Sequence, residues 1–306
     1  MIFRGTGEVQ QGLHVLGSKD VPVYLFKAQR PVLFDAGIAR LGKVYEREIR
    51  ASLGDALPEM LFITHMHFDH CGSVFYLKKA FPGLVVCASK KASEIIQRPN
   101  AVRLIRTLNE DPEEALIGID RSMLVDEAFE PFEVDRILED GDRVELEKGL
   151  SVQVKFTPGH TWDFLSYYIP ERRILIASEA GGCANSWGYI PPECLTNFDV
   201  YLRSLSTLAE LEVDVLCQGH RFVHLGQDAR EFLVRSMQTA LDFKDMVGEL
   251  WETEHGDLAR MMARIKSTEY DPLPPPKRPE RAYLVNLEAR VRSLVAYLRL
   301  EKSASL

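Results

Sequence analysis

The sequence predicts an α+β fold in which two β-sheets pack face to face between layers of helices, an αββα sandwich. Three observations predict it. Short strand-like runs alternate with helical patterns in the first half, the same alternation recurs in the second half, and the chain is helical from Asp228 onward. Two β-rich halves with helices outside them bury their apolar faces best as two packed sheets.

The elements of the first half follow from residue type and spacing. Val21–Ala28 and Pro31–Gly37 are rich in branched and aromatic residues and read as paired strands. Residues 59–64 form a short and almost wholly apolar run, which is typical of a strand buried on both faces. The remaining elements of this half are helices over 41–54 and 69–83 and a strand over 84–89.

The second half repeats the theme. Strand-like runs occupy residues 143–158, 164–170, 172–179 and 213–220, and a helical pattern covers Val200–Glu210. We therefore assign residues 1–226 to one domain.

Two segments lie outside this alternation. Residues 92–135 have little strand character and are interpreted as a helical insertion that covers a functional site. Residues 227–306 are interpreted as a C-terminal helical extension that also covers the functional site, interrupted at Asp271–Pro279 because proline cannot continue a helix. Its last helix carries an apolar stripe, Leu284, Leu287, Val291, Leu294 and Leu298, that favours packing within the chain. A homodimer through these helices is the alternative.

Composition excludes several classes of function. The formal charge of −8 disfavours nucleic acid or an anionic membrane as a partner, because both need a basic face. No apolar run is long enough to span a bilayer, and the start lacks the pattern of a secretory signal. The five cysteines form no Cys-x-x-Cys pair, so we expect reduced thiols in a cytoplasmic protein.

A cluster of histidines follows the strand over 59–64. His65, His67, Asp69 and His70 lie within six positions, directly where that strand ends. Imidazole and carboxylate groups suit zinc, iron or manganese, and two ions close together would use so many neighbouring ligands. The cluster therefore predicts a metal site.

Further ligands follow other strand-like runs. Each of four apolar runs ends in a residue that can bind or orient a ligand, namely Asp35, His160, Glu179 and His220. Because the runs recur with the same ending, we expect these side chains to converge at one rim of the strands.

This pattern resembles the metallo-β-lactamase superfamily, whose signature is His-x-His-x-Asp-His followed by distant His, Asp and His ligands. The resemblance covers roughly Val21 to His220. It implies two divalent ions, the first held by His65, His67 and His160 and the second by Asp69, His70 and His220. Asp35 would orient a ligand. Glu179 stands where the family has a bridging aspartate, so whether it bridges two ions or binds one is open, with Cys183 as the alternative ligand.

The resemblance also implies a reaction. A bridging hydroxide would attack a thioester or ester carbonyl, with Asp69 as the proton carrier. Among branches of the superfamily the chain is most similar to the quinolone-signal response thioesterases, which act on 2-aminobenzoylacetyl-coenzyme A, and less similar to glyoxalase II-type thioesterases. An acyl thioester is therefore the expected substrate. A lactonase or other esterase, or a regulatory protein with a vestigial metal site, are the alternatives.

Overall fold

Two β-sheets form the centre of the structure, a computed structural model that describes residues 1–10, 12–110, 116–275 and 277–304. Within those residues each sheet has seven strands. In chain order the strands are β1 (Ile2–Phe3), β2 (Gly7–Gln10), β3 (Leu13–Ser18), β4 (Val21–Phe26), β5 (Val32–Phe34), β6 (Met60–Phe62), β7 (Val85–Ser89), β8 (Arg136–Leu138), β9 (Arg143–Glu147), β10 (Leu150–Phe156), β11 (Leu165–Ile169), β12 (Ile174–Ile176), β13 (Val215–Cys217) and β14 (Val223–Leu225).

The two sheets have related but unequal topologies. The first has the order β2-β3-β4-β5-β6-β7-β8 and is antiparallel up to β5 and parallel from β5 to β8. The second has the order β1-β14-β13-β12-β11-β10-β9, and only β12 and β13 run parallel in it. The predicted α+β class is confirmed.

The layer between the sheets is apolar and aromatic. Every residue of β4 is buried, as expected of a strand that is covered on both faces. At the centre, the Phe34 and Phe62 rings of the first sheet lie 5.4 Å apart, and Tyr167 of the second sheet lies 5.1 Å from Phe62. The Tyr167 hydroxyl donates to the carbonyl of Ile63 at 2.6 Å, which fixes the second sheet against the end of β6.

Helices cover the outer faces of both sheets. Val44 and Ile49 lie in a buried cluster with Leu33 and Leu61 on the first sheet. Leu205 lies in a second buried cluster on the other side of the molecule, which also contains residues of the last three helices. The helices are α1 (Gly42–Leu53), α2 (Phe68–Cys71), α3 (Val74–Ala80), α4 (Lys90–Ile95), α5 (Pro99–Glu110), α6 (Phe198–Ala209), α7 (Gln227–Thr253), α8 (Leu258–Glu269) and α9 (Glu280–Ala304).

The apolar stripe of α9 packs inside the chain. Leu287, Val291 and Leu294 are fully buried, and Leu284 and Leu298 pack against the same cluster as α6 and α7. The stripe therefore completes the outer layer of the second sheet. None of the helices in the described ranges is both long and apolar enough to span a bilayer.

Two expected helices are interrupted. The helix expected to run from Asp228 to about Ile265 ends as α7 and restarts as α8, because His255 and Gly256 both adopt positive φ angles, 53° and 74°. The helix expected over 69–83 is divided into α2 and α3. The predicted insertion, residues 92–135, contains most of α4 and all of α5. Residues 111–115 lie outside the described part of the chain. The bounds of the insertion stay a prediction.

Candidate metal centre

The histidine cluster lies on a tight segment between β6 and α2. Ile63 continues from β6 by donating its amide to the Cys87 carbonyl at 2.9 Å, and the chain then leaves the sheet. His67 has extended backbone angles and directly precedes α2, so that His65 and His67 come from the loop while Asp69 and His70 come from the helix. The side chain of His65 is fully buried, whereas that of Asp69 is 17% exposed.

All seven predicted ligands lie together. They form three overlapping groups, and within each group the ligand atoms lie within 4.8 Å of one another. The groups are His65, His67 and His160; His65, His70 and Glu179; and Asp69, His70 and His220.

The shortest distances show how the groups overlap. Nε2 of His160 lies 3.2 Å from Nδ1 of His67. Oε1 of Glu179 lies 3.2 Å from Nε2 of His70 and 3.0 Å from Nε2 of His220. Its other oxygen, Oε2, lies 3.9 Å from Nε2 of His65 in the first predicted ion site, so the Glu179 carboxylate lies between residues of both predicted sites.

Two atoms at the centre of the cluster have no hydrogen-bond partner within the described residues. They are Nε2 of His65 and Oε1 of Glu179, and both are buried. The Glu179 oxygen is close to two histidine nitrogens, but neither contact has the geometry of a hydrogen bond. A buried polar atom without a partner is costly, and inward-facing imidazole nitrogens around carboxylates are the donors that zinc, iron and manganese accept. These residues fit a metal centre.

Carboxylate and hydroxyl groups orient the ligands of the first sheet. Oδ2 of Asp35 lies 2.8 Å from Nδ1 of His70, and a carboxylate can only accept, so Nδ1 carries the proton and Nε2 faces the centre. Asp35 also accepts from the amide and the hydroxyl of Thr64. Because that hydroxyl donates to Asp35, it accepts from Nδ1 of His65, 3.0 Å away, and leaves Nε2 of His65 free. Asp35 thus lies where a ligand-orienting residue is expected.

Backbone carbonyls orient the histidines of the second sheet. Nδ1 of His160 donates to the carbonyl of Glu193 at 2.9 Å, and Nδ1 of His220 donates to the carbonyl of Asp20 at 2.6 Å. In both rings Nε2 is consequently left to face the cluster.

Two buried side chains that the sequence did not single out hold the ligand loops. Asp163, only 2% exposed, accepts the amide of Met66 at 2.8 Å and so joins the loop after His160 to the segment between His65 and His67. Gln218 is fully buried; its amide oxygen accepts from Ala184 and its amide nitrogen donates to the carbonyl of His220. In the sequence, the only signal for Asp163 or Gln218 is that each is a polar residue within three positions of a predicted ligand.

Burial and mutual charge shift the pKa values of the cluster. Burial lowers the pKa of His65 well below its usual value, and burial together with His160 lowers that of His67 to about 4. Burial also opposes a charge on His70, but Glu179, Asp35 and Asp69 outweigh it and raise the pKa of His70 well above its usual value. The carboxylates therefore attract a cation, and a metal ion would take the place of a proton on Nε2 of His70, while Nδ1 keeps the proton that Asp35 accepts.

Cys183 and His224 lie outside the three groups. The Cys183 thiol is buried, and its pKa is raised, first by burial and then by Glu179 and Glu193. His224 lies on β14, where its Nδ1 is 2.6 Å from Asp228 and its Nε2 is 3.2 Å from Gln218. Neither residue forms part of the candidate centre.

Two packed sheets with histidines and carboxylates gathered at the strand ends define an αββα protein with a metal-binding rim. The family model of the metallo-β-lactamase superfamily matches residues 18–220 of the chain. The chain belongs to that superfamily.

Individual relatives agree with this. Over 161 residues the chain is 30% identical to a hydroxyacylglutathione hydrolase of Ectopseudomonas mendocina (strain ymp), a match that covers 52% of this chain but only 45% of that protein. A metallo-β-lactamase family protein of Thermus thermophilus superposes with a TM-score of 0.64 at 17% identity, covering 98% of this chain and 94% of that chain. An archaeal metallo-β-lactamase superfamily protein of Sulfolobus tokodaii superposes with a TM-score of 0.59 at 16% identity, covering 94% of this chain and 100% of that chain. At such identities the two structures show a shared fold.

Proposed function

We propose that the protein is a metal-dependent hydrolase that cleaves an acyl thioester with a dinuclear centre. The observation that carries this proposal is the convergence of the seven predicted ligand side chains around two buried atoms that have no hydrogen-bond partner among the described residues. His65, His67 and His160 would hold one ion, Asp69, His70 and His220 the other, and Glu179 would bridge them. Such ions lower the pKa of bound water and polarise a carbonyl group.

Within that centre the partly exposed residues are His67, Asp69 and His220, and Asp69 is the only carboxylate among these three. The side chains of Asp69 and His220 are each 17% exposed, whereas those of His70 and Glu179 are only 4% exposed. Oδ2 of Asp69 lies 3.7 Å from Nε2 of His220. Asp69 is thus the carboxylate that a substrate and a water molecule can reach, which supports its role as the proton carrier.

The preference for a thioester rests on resemblance. The hydroxyacylglutathione hydrolase is 30% identical over 161 residues, and its name describes a hydrolase of an acylated glutathione. The finer resemblance to the quinolone-signal response thioesterases stays a prediction. All five cysteines are unpaired, which supports a reducing compartment such as the cytoplasm.

A substrate panel tests the proposal. The purified protein, loaded in turn with zinc, iron or manganese, is assayed against acyl-coenzyme A, acyl-glutathione and lactone substrates. We expect thioester turnover that chelation abolishes and metal restores, and a metal content close to two ions per chain.

Variants separate the alternatives. The double variant His67→Ala/His70→Ala removes one predicted ligand from each ion site and should lose metal and turnover together, whereas His255→Asn, outside the cluster, should keep both. Undiminished metal in the double variant contradicts the proposed ligands. Turnover of lactones alone identifies a lactonase, and a metal-loaded protein that turns over no substrate in the panel supports a regulatory role.

A further inference from the structure

The position before His220 is a glycine, and the space above it is filled by Glu179. A Cβ atom added to Gly219 would lie 2.1 Å from Oε1, 2.7 Å from Cδ and 2.9 Å from Oε2 of Glu179. No real Cβ atom makes such contacts, and the carboxylate supplies all three of the nearest atoms.

Space, and not backbone conformation, explains the glycine. Gly219 is not among the residues with positive φ, so its φ angle does not require a glycine. Its neighbours constrain the segment instead, since Gln218 binds the His220 carbonyl and His220 binds the Asp20 carbonyl. The segment is fixed on both sides and cannot readily move away from Glu179.

Glu179 is constrained as well. Its Oε2 accepts from the hydroxyl of Ser178 at 2.7 Å, and Ser178 adopts a left-handed backbone conformation with φ of 49°. The side chain is one methylene longer than an aspartate, so from this backbone its carboxylate reaches to the surface of Gly219. With the carboxylate there, Oε1 lies within 3.2 Å of both His70 and His220.

We propose that Gly219 and Glu179 form a matched pair, in which the missing side chain of Gly219 is the space that lets a glutamate serve as the bridging ligand. This inference rests on the proposed dinuclear centre and adds the residue that determines which carboxylate the centre accepts. The pair predicts that Gly219→Ala displaces the carboxylate from between His70 and His220. Shortening Glu179 to aspartate withdraws the carboxylate from the same space.

The test is a double-mutant cycle in the full-length protein with Gly219→Ala, Glu179→Asp and the double variant. Affinity for Zn²⁺ is measured by competition with a chromogenic chelator, and thermal unfolding is measured after chelation. Removing a residue that orients a metal ligand typically weakens metal binding by about 10–100-fold, and we expect a loss of that order in Gly219→Ala. We expect the double variant to bind Zn²⁺ at least as tightly as Gly219→Ala, because the aspartate no longer meets the new methyl group.

Gly248→Ala is the matched control, because an added Cβ there would meet, among the described residues beyond its own helical turn, only Cδ1 of Leu298 at 3.9 Å. It should leave Zn²⁺ affinity unchanged. Coupling between positions 219 and 179 in the chelated protein reports the steric contact without any metal. If the two substitutions are additive in both Zn²⁺ affinity and unfolding, the matched pair is wrong. If the unsubstituted protein binds no Zn²⁺, the proposed function is contradicted instead. This outcome needs no variant, so it can be distinguished from failure of the matched pair.

Discussion

The ligands that follow the first sheet and those that follow the second are oriented by different kinds of hydrogen-bond partner. His65 and His70 depend on the side chains of Thr64 and Asp35. His160 and His220 depend on backbone carbonyls, which every residue type supplies. The two groups of histidines should therefore differ in how well they tolerate mutation of the residues that orient them, even though both groups belong to one candidate centre.

The largest expected effect is that of Asp35→Ala. It removes the acceptor of His70 and of both polar groups of Thr64, so His65 loses its support as well. We expect metal affinity to fall by about 10–100-fold, measured by chelator competition. Asp55→Ala, an exposed carboxylate, is the control and should change nothing. If the Asp35 variant keeps the metal affinity of the parent protein, the side chains of Asp35 and Thr64 are not what orients His65 and His70.

An intermediate effect is expected for Asp163→Ala. The buried amide of Met66 would lose its acceptor, at a cost of roughly 1–3 kcal/mol in the free energy of unfolding, measured with denaturant. Metal affinity should weaken less than in Asp35→Ala, because no ligand ring loses its partner. Asp163→Asn keeps an acceptor oxygen and should recover most of the loss. Equal loss in both variants would show that the charge, and not the hydrogen bond, is what matters.

The smallest effect is expected for Asp20→Ala. It removes the ion pair with Arg221, at 3.1 Å and partly exposed, but leaves the carbonyl that orients His220. Such a pair contributes at most about 1 kcal/mol to stability, so metal affinity should stay within about threefold of the parent. If Asp20→Ala lowers metal affinity as much as Asp35→Ala does, the contrast between side-chain and backbone support of the histidines is wrong.

The sequence indicated which side chains cluster better than it indicated the residues that support them. His65, His67, Asp69 and His70 lie within six consecutive positions, and each later candidate follows an apolar strand, so spacing alone indicated them. Asp163 binds a residue 97 positions away and Gln218 one that is 34 away, and local pattern carries no such information. The short strands β1, β2 and β14 were missed for a related reason. They have two to four residues each, and pairing across the sheet stabilises them more than their own propensity does.

The break between α7 and α8 shows the limit of periodicity in another way. Apolar spacing continues through the break, and the sequence there offers Gly256 as the only strong signal for a helix end. Such a glycine is often tolerated inside a helix. Here it takes a positive φ, with Trp251 packed 3.1 Å from where a Cβ would lie, so the helix stops.

The place of α9 in the second buried cluster has a consequence for folding during synthesis. The cluster on the first sheet contains only residues from Leu16 to Phe132, whereas the cluster on the second sheet extends from Phe164 to Val295. At about 5–20 residues per second, the ribosome releases the last part of the second cluster on the order of ten seconds after the first is complete. During that interval α6 and α7 lack the apolar cover that α9 supplies in the folded structure. We therefore expect the second half to be the part of the nascent chain that chaperones bind.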